Sequence, residues 1–155
     1  MSITFERATP ADAEALVRLQ IAAFHHDAVM YPGVEIGGPP GYDSVDNLLQ
    51  KMQEDECYKI VVDGQIVGGF VVFNMGQGHL HLDVIYIDPD YHNRGIGTRA
   101  MEFIEQTYAA TKWSLNTPTY ALRNQHFYEK FGYVKVGEEP EDDLDITLII
   151  YEKRV

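Results

Sequence analysis

Between Val84 and Glu105 the chain reads VIYIDPDYHNRGIGTRAMEFIE, a strand-like apolar run, a polar turn with two glycines, and the start of a helical pattern. If the helix opens near Gly95, the N–H groups of Arg94, Gly95, Ile96, Gly97 and Thr98 have no intrahelical carbonyl to bond. Together with the helix dipole they make an anion site. Gly95 and Gly97 let a bulky anion reach the backbone without meeting a β-carbon, and Arg94 offers a charged fork. No Lys-Ser/Thr follows, so this is not a Walker A loop, and the spacing is not GxGxxG. The segment favours a phosphate-bearing ligand without naming it.

Two other stretches carry polar groups at useful spacing. HLHLDVIYI, from His79 to Ile87, places His81 and Asp83 on one side of a strand, alternating with Leu80, Leu82 and Val84. LRNQHFYEKFG places Asn124 and Tyr128 four residues apart on one helix side, with Phe127 and Phe131 beside them as an apolar anchor. His25-His26-Asp27 superficially suggests metal, but adjacent helical side chains diverge and the ligand set is incomplete, so no metal site is expected. Cys57 has no nearby base in the sequence, which gives a covalent cysteine route little support.

The elements that must hold these groups follow from periodicity. Ile3 to Arg7 alternates as an opening strand. Thr9-Pro10 then starts a helix running to about Ala28. A Gly/Pro-rich loop, MYPGVEIGGPPGYDS, separates it from a second helix capped by Asp43 or Ser44. CYKIVVDGQIVGGFVVF is a hairpin with a type I′ turn at Asp63-Gly64. A strand over about His79–Ile87, the Gly95 helix to about Tyr108, strand KWSLNTP, the Tyr128 helix ended by Gly132, and strands YVKVG and ITLIIYE complete the pattern. The acidic run EEPEDDLD, with Asp142 and Asp143 at its centre, reads as a solvated turn. This is an α/β chain with a mixed, mostly antiparallel sheet: a meander, then strand–helix–strand with its two strands parallel and right-handed.

The 155 residues make one domain, 1–155. A formal charge of −12 excludes nucleic acid and anionic membrane as principal partners and suits a cationic ligand. The single cysteine and the lack of a long apolar run point to a cytoplasmic protein.

His92-Asn93-Arg94-Gly95-Ile96-Gly97 resembles the central signature of the GCN5-related N-acetyltransferase (GNAT) family: Gln or Arg, two residues, Gly, one residue, Gly or Ala. His92 departs from it. LRNQHFYEKFGY resembles the family's late helix. With both motifs in order, the resemblance covers essentially the whole chain, which looks like a small bacterial-type member. It implies an acyl-CoA N-acyltransferase fold with splayed parallel fourth and fifth strands. Acetyl-CoA would lie between them, its pyrophosphate at the helix mouth from His92 to Thr98 and its pantetheine along the backbone of Ile85, Tyr86 and Ile87. Asn124 is a secondary cofactor contact. Tyr128 would stabilise the departing CoA thiolate, chiefly by hydrogen bonding, since a phenol near pKa 10 does not readily protonate a thiolate near 8.5.

On that reading acetyl passes directly to a primary amine. At pH 7 only about one part in two thousand of an alkylamine is neutral, so the site must accept a proton. His81 and Asp83 are the candidates, and they also line the acceptor side with Asp27, Tyr31 and Glu35. A small amine or polyamine is the favoured acceptor. A peptide amine, and a catalytically weak CoA-binding sensor, are the alternatives. A monomer or a homodimer fits equally.

Overall fold

A computed structural model describes residues 1–141 and 145–155. Strands β1 (Ile3–Arg7), β2 (Glu56–Val62), β3 (Gln65–Gly76), β4 (His79–Ile87), β5 (Lys112–Pro118), β6 (Val134–Glu141) and β7 (Ile146–Arg154) form one sheet. Its order is β1-β2-β3-β4-β5-β7-β6. The helices are α1 (Ala13–His25), α2 (Asp27–Met30), α3 (Val45–Glu54), α4 (Ile96–Thr107) and α5 (Leu122–Lys130). β4 and β5 are the parallel pair; the other neighbours run antiparallel.

Each face of the sheet has its own core. Ala13, Leu16, Val17 and Gln20, spaced for one helix stripe, bury α1 beside α3 against Cys57, Val71 and Tyr86. On the opposite face Ile96, Ala100, Met101 and Ile104 of α4 pack with Tyr128 of α5 on Phe70, Val72, Leu80 and Leu82. Local chemistry fixes the ends. Asp63 and Gly64 both take positive φ, 49° and 84°, as the tight hairpin needs. Ser44 Oγ accepts the Asn47 N–H at 3.1 Å to cap α3.

Three expectations are corrected. The first helix stops at His25, and Asp27–Met30 forms a separate turn. The acidic run is not all turn: β6 continues to Glu141, because an edge strand's outward carboxylates stay in water; Asp142 and Asp143 lie outside the described residues. The alternation in β4 also breaks. Val72 pairs with Leu82 but Val71 pairs with Val84, leaving Asp83 as the extra residue of a bulge. Leu80 and Leu82 therefore face α4, while Val84 and Tyr86 face α1 and α3.

Candidate active site

β4 and β5 pair only from His79 and Lys112 to Leu82 and Leu115. Beyond that β5 is held by β7 alone, and the two strands part. The Asp88 N–H bonds Val67 O at 2.7 Å, so by antiparallel alternation Tyr86 turns its peptide groups toward β3 while Ile85 and Ile87 turn theirs into the gap. Tyr86 is thus removed from the cofactor contacts: its backbone is used within the sheet and its side chain is buried beside Cys57. The Ile87 carbonyl is also engaged, by His92 Nε2 at 2.9 Å. His92 braces the strand end at that contact.

At the wide end of the gap the chain makes the turn into α4. Asn93 and Gly95 have positive φ, 62° and 76°, and the first helical bond runs from Arg99 N–H to Gly95 O at 3.1 Å. Among the described residues no group accepts from the amides of Asn93 through Thr98. The two glycines do different jobs. Gly95 is needed for its left-handed backbone, since a β-carbon there would meet nothing within 4 Å. A β-carbon on Gly97 would meet Phe127 at 3.4 Å and Ile87 at 3.6 Å, ordinary van der Waals distances, so neither backbone nor packing against α5 demands a glycine there and its use is the bare approach it leaves to a ligand. Arg94 lies over Tyr91, 4.9 Å from the ring centroid, and donates to Asp90 O at 3.1 Å.

Arg123 was not foreseen at this mouth. Its guanidinium donates to Asn93 Oδ1 at 2.6 Å, and with Thr98, His126, Phe127, Lys130 and Phe131 it lines a basic, aromatic groove beside the free amides. Donors and positive charge for a diphosphate, and a strand gap for an extended arm, fit a CoA thioester. That molecule would supply the activated acyl group.

The gap widens into a cleft of about 920 Å³ whose lining includes Asn124, Tyr128, His81, Asp83, Asp27 and Glu35. Tyr128 is 8% exposed and held at its ring by Phe127, Tyr133 and Tyr151. Burial pushes its phenol well above its ordinary pKa, so it is a hydrogen-bond donor and a poor acid. Asn124 Nδ2 donates to Thr117 Oγ1 at 3.3 Å, across the cleft from β4.

On the acceptor side the expected residues divide. Asp83 is bound by Lys51 of α3 at 2.7 Å, a contact no local pattern announces, and this partner counts against a free carboxylate base. His81 stacks on Phe73 and shares Ser114 Oγ at 2.7 Å; burial lowers its pKa, leaving the imidazole neutral near pH 7. Asp27 accepts from the Tyr120 hydroxyl at 3.2 Å, and burial raises its pKa. Glu35 reaches the cleft from the Pro32–Pro40 loop. Tyr31 does not line it: its ring packs on Tyr120 and its hydroxyl accepts the Arg123 backbone N–H at 3.4 Å.

The would-be metal triplet diverges, His25 to Tyr42, His26 to His92 and Asp27 to Tyr120. Among the described residues no group of His, Cys, Asp and Glu could hold a metal ion. Burial pushes the Cys57 thiol up to about 11, which keeps it protonated and unreactive.

Residues 53–135, more than half of the chain and including the strand gap and both helix motifs, match the family model described as an acetyltransferase (GNAT) domain. The chain belongs to the GNAT acetyltransferase family. It is 44% identical over 79 residues to YrkN of Bacillus subtilis, a match spanning 49% of this chain and 43% of YrkN. It is 25% identical over 166 aligned positions to the S-(2-succino)cysteine N-acetyltransferase of the same organism, covering 99% of this chain and 96% of that one. The PaiA N-acetyltransferase of Thermoplasma acidophilum, solved with coenzyme A, has the same fold, with a TM-score of 0.77 and 17% identity over all of both chains. This GNAT chain has no helix, among its described residues, long and apolar enough to cross a membrane.

Proposed function

We propose that the protein transfers acetyl from acetyl-CoA directly to the primary amine of a small cationic acceptor. The observation that carries this reading is the row of unbonded amides from Asn93 to Thr98 beside a gap in the sheet. Those amides and the Ile85 backbone hold the donor's charged and extended parts. His81, neutral and cleft-lining, accepts the amine proton; Tyr128 donates a hydrogen bond to the developing thiolate. Deep burial makes full proton transfer from the phenol costlier still, so hydrogen bonding is its contribution and the thiolate gains its proton elsewhere.

The cleft's charge supports the choice of acceptor. Asp27, Glu35, Asp83, Glu141 and Asp145 line it, and the one lysine among its described lining residues, Lys51, is already bound to Asp83. A relative's acceptor, S-(2-succino)cysteine, carries carboxylates by its name. Such a ligand would meet like charge here without a free cation, whereas a diamine or polyamine would be attracted.

The test is thiol release from acetyl-CoA, corrected for hydrolysis, across diamines, polyamines, amino acids and S-(2-succino)cysteine, with mass spectrometry of the products. N-acetylated diamine or polyamine with a higher kcat/KM than any acidic amine is expected. Preference for the acidic amines would overturn the acceptor assignment, and release without any acetylated amine would overturn the transferase reading.

A further inference from the structure

Ser114 of β5 is buried, and its single hydroxyl is shared by two histidines of the neighbouring strand. His79 Nε2 lies 2.6 Å from Ser114 Oγ and His81 Nδ1 lies 2.7 Å from it. The parallel register sets this up: Ser114 sits opposite His81, and His79 is on the same strand face one step nearer the strand's start. A hydroxyl has one proton to give, so it cannot donate to both rings. At least one histidine donates to the oxygen, which orders the tautomers along the chain of three.

We infer that Ser114 and His79 are the exit of a proton relay that begins at His81, a deepening of the transferase reading proposed above. Transfer from an ammonium acceptor releases one proton net: ammonium plus acetyl-CoA gives amide, CoA thiol and H⁺. In the relay an amine N–H bond breaks as a bond to His81 Nε2 forms. The Nδ1 proton of His81 passes to Ser114 Oγ, the original Oγ proton passes to His79 Nε2, and His79 Nδ1 releases a proton to water. The tautomers reset by exchange with water before the next turnover.

The surroundings fit a carrier and not a trap. His81 lines the cleft, and His79 is only partly buried at the end of β4 away from it. The charged groups around the pair come from every packed element. Asp83 on β4, with Lys51 of α3 and Asp55 near it, sits beyond His81; Lys112 of β5 and Glu152 of β7, 3.5 Å apart, flank His79. Burial lowers the pKa of both histidines, so neither holds a proton tightly near pH 7.

The experiment measures kcat/KM against pH for wild type, Ser114→Ala, Ser114→Thr and His79→Gln, with and without added imidazole. Ser114→Ala and His79→Gln should lose about 10- to 100-fold. Imidazole should restore several-fold of it, CoA affinity should be unchanged, and Ser114→Thr should keep most activity. A loss that imidazole does not relieve, or wild-type rates and pH profiles in both variants, would overturn the relay. If no amine is acetylated even by wild type, the transferase reading has failed, and ¹⁵N NMR of the imidazoles still decides the network. Linked tautomers that Ser114→Ala uncouples support it; two rings titrating independently in the wild type would refute it.

Discussion

Replacing Tyr128 with Phe isolates one hydroxyl. The ring would stay where it is, edge-on to Phe127 with centroids 5.3 Å apart and packed against Tyr133 and Tyr151 at 6.1 and 6.4 Å. Among the described residues the hydroxyl makes no hydrogen bond within the protein, so its removal orphans no partner and stability should change by less than about 0.5 kcal/mol. The hydrogen bond proposed from it to a developing sulfur anion would be charge-assisted and worth about 1.5–3 kcal/mol. That corresponds to kcat lower by about 10- to 150-fold. Because burial raises the phenol's pKa, Tyr128 stays protonated across the working range, and the ratio of wild type to variant should hold constant from about pH 6 to 9. Stopped-flow detection of free CoA thiol gives kcat, and calorimetric titration with CoA gives Kd. A kcat within about twofold of wild type at unchanged Kd would refute any part for this hydroxyl in departure of the thiolate.

Gly95→Ala should destabilise the fold by about 1–2 kcal/mol through its left-handed backbone and weaken CoA binding, whereas Gly97→Ala should nearly retain the wild-type melting temperature; equal melting temperatures would contradict this division of roles. Ser44→Ala should cost about 1 kcal/mol in urea denaturation by exposing the Asn47 amide, and an unchanged midpoint would deny the cap. The folded His81 has a pKa below the ordinary 6.5, so below that pH the unfolded chain binds more protons and stability falls as pH drops through the folded value. His81→Gln should therefore lose less stability than wild type between about pH 7 and 5, and parallel melting curves would contradict the shift.

What the sequence made legible was chemistry written in adjacent residues. Asp63-Gly64 announced its turn, Ser44 its cap, and the Arg94–Thr98 run its free amides, because each depends on backbone conformation within a few positions. The late helix could be placed for the same reason, with Tyr128 and Asn124 four apart. The bulge at Asp83 was hidden, since an extra residue in a strand leaves no compositional mark and shows only in the partner's register. The insertion of β7 between β5 and β6, and the spread of β6 into the acidic run, depend on pairing across the sheet. Lys51 on Asp83, Ser114 between two histidines, and Arg123 on Asn93 join elements far apart in the chain. A basic residue opening the late helix was the one available hint for Arg123.

The odd residue at Asp83 divides β4 into two stretches of opposite parity. On the reading proposed above, alternate positions upstream would meet the acceptor and alternate peptide groups downstream would meet the donor; what the fold itself fixes is the change of face between the two stretches. If that reading holds, substitutions in the first stretch should change the amine preference while leaving CoA affinity unchanged. A change of length by one residue cannot be local, since it would turn Val84 and Tyr86 toward the wrong layer and carry the Ile85 and Ile87 peptides out of the gap. Tolerance of sequence and intolerance of indels should therefore coexist within nine residues of a single strand.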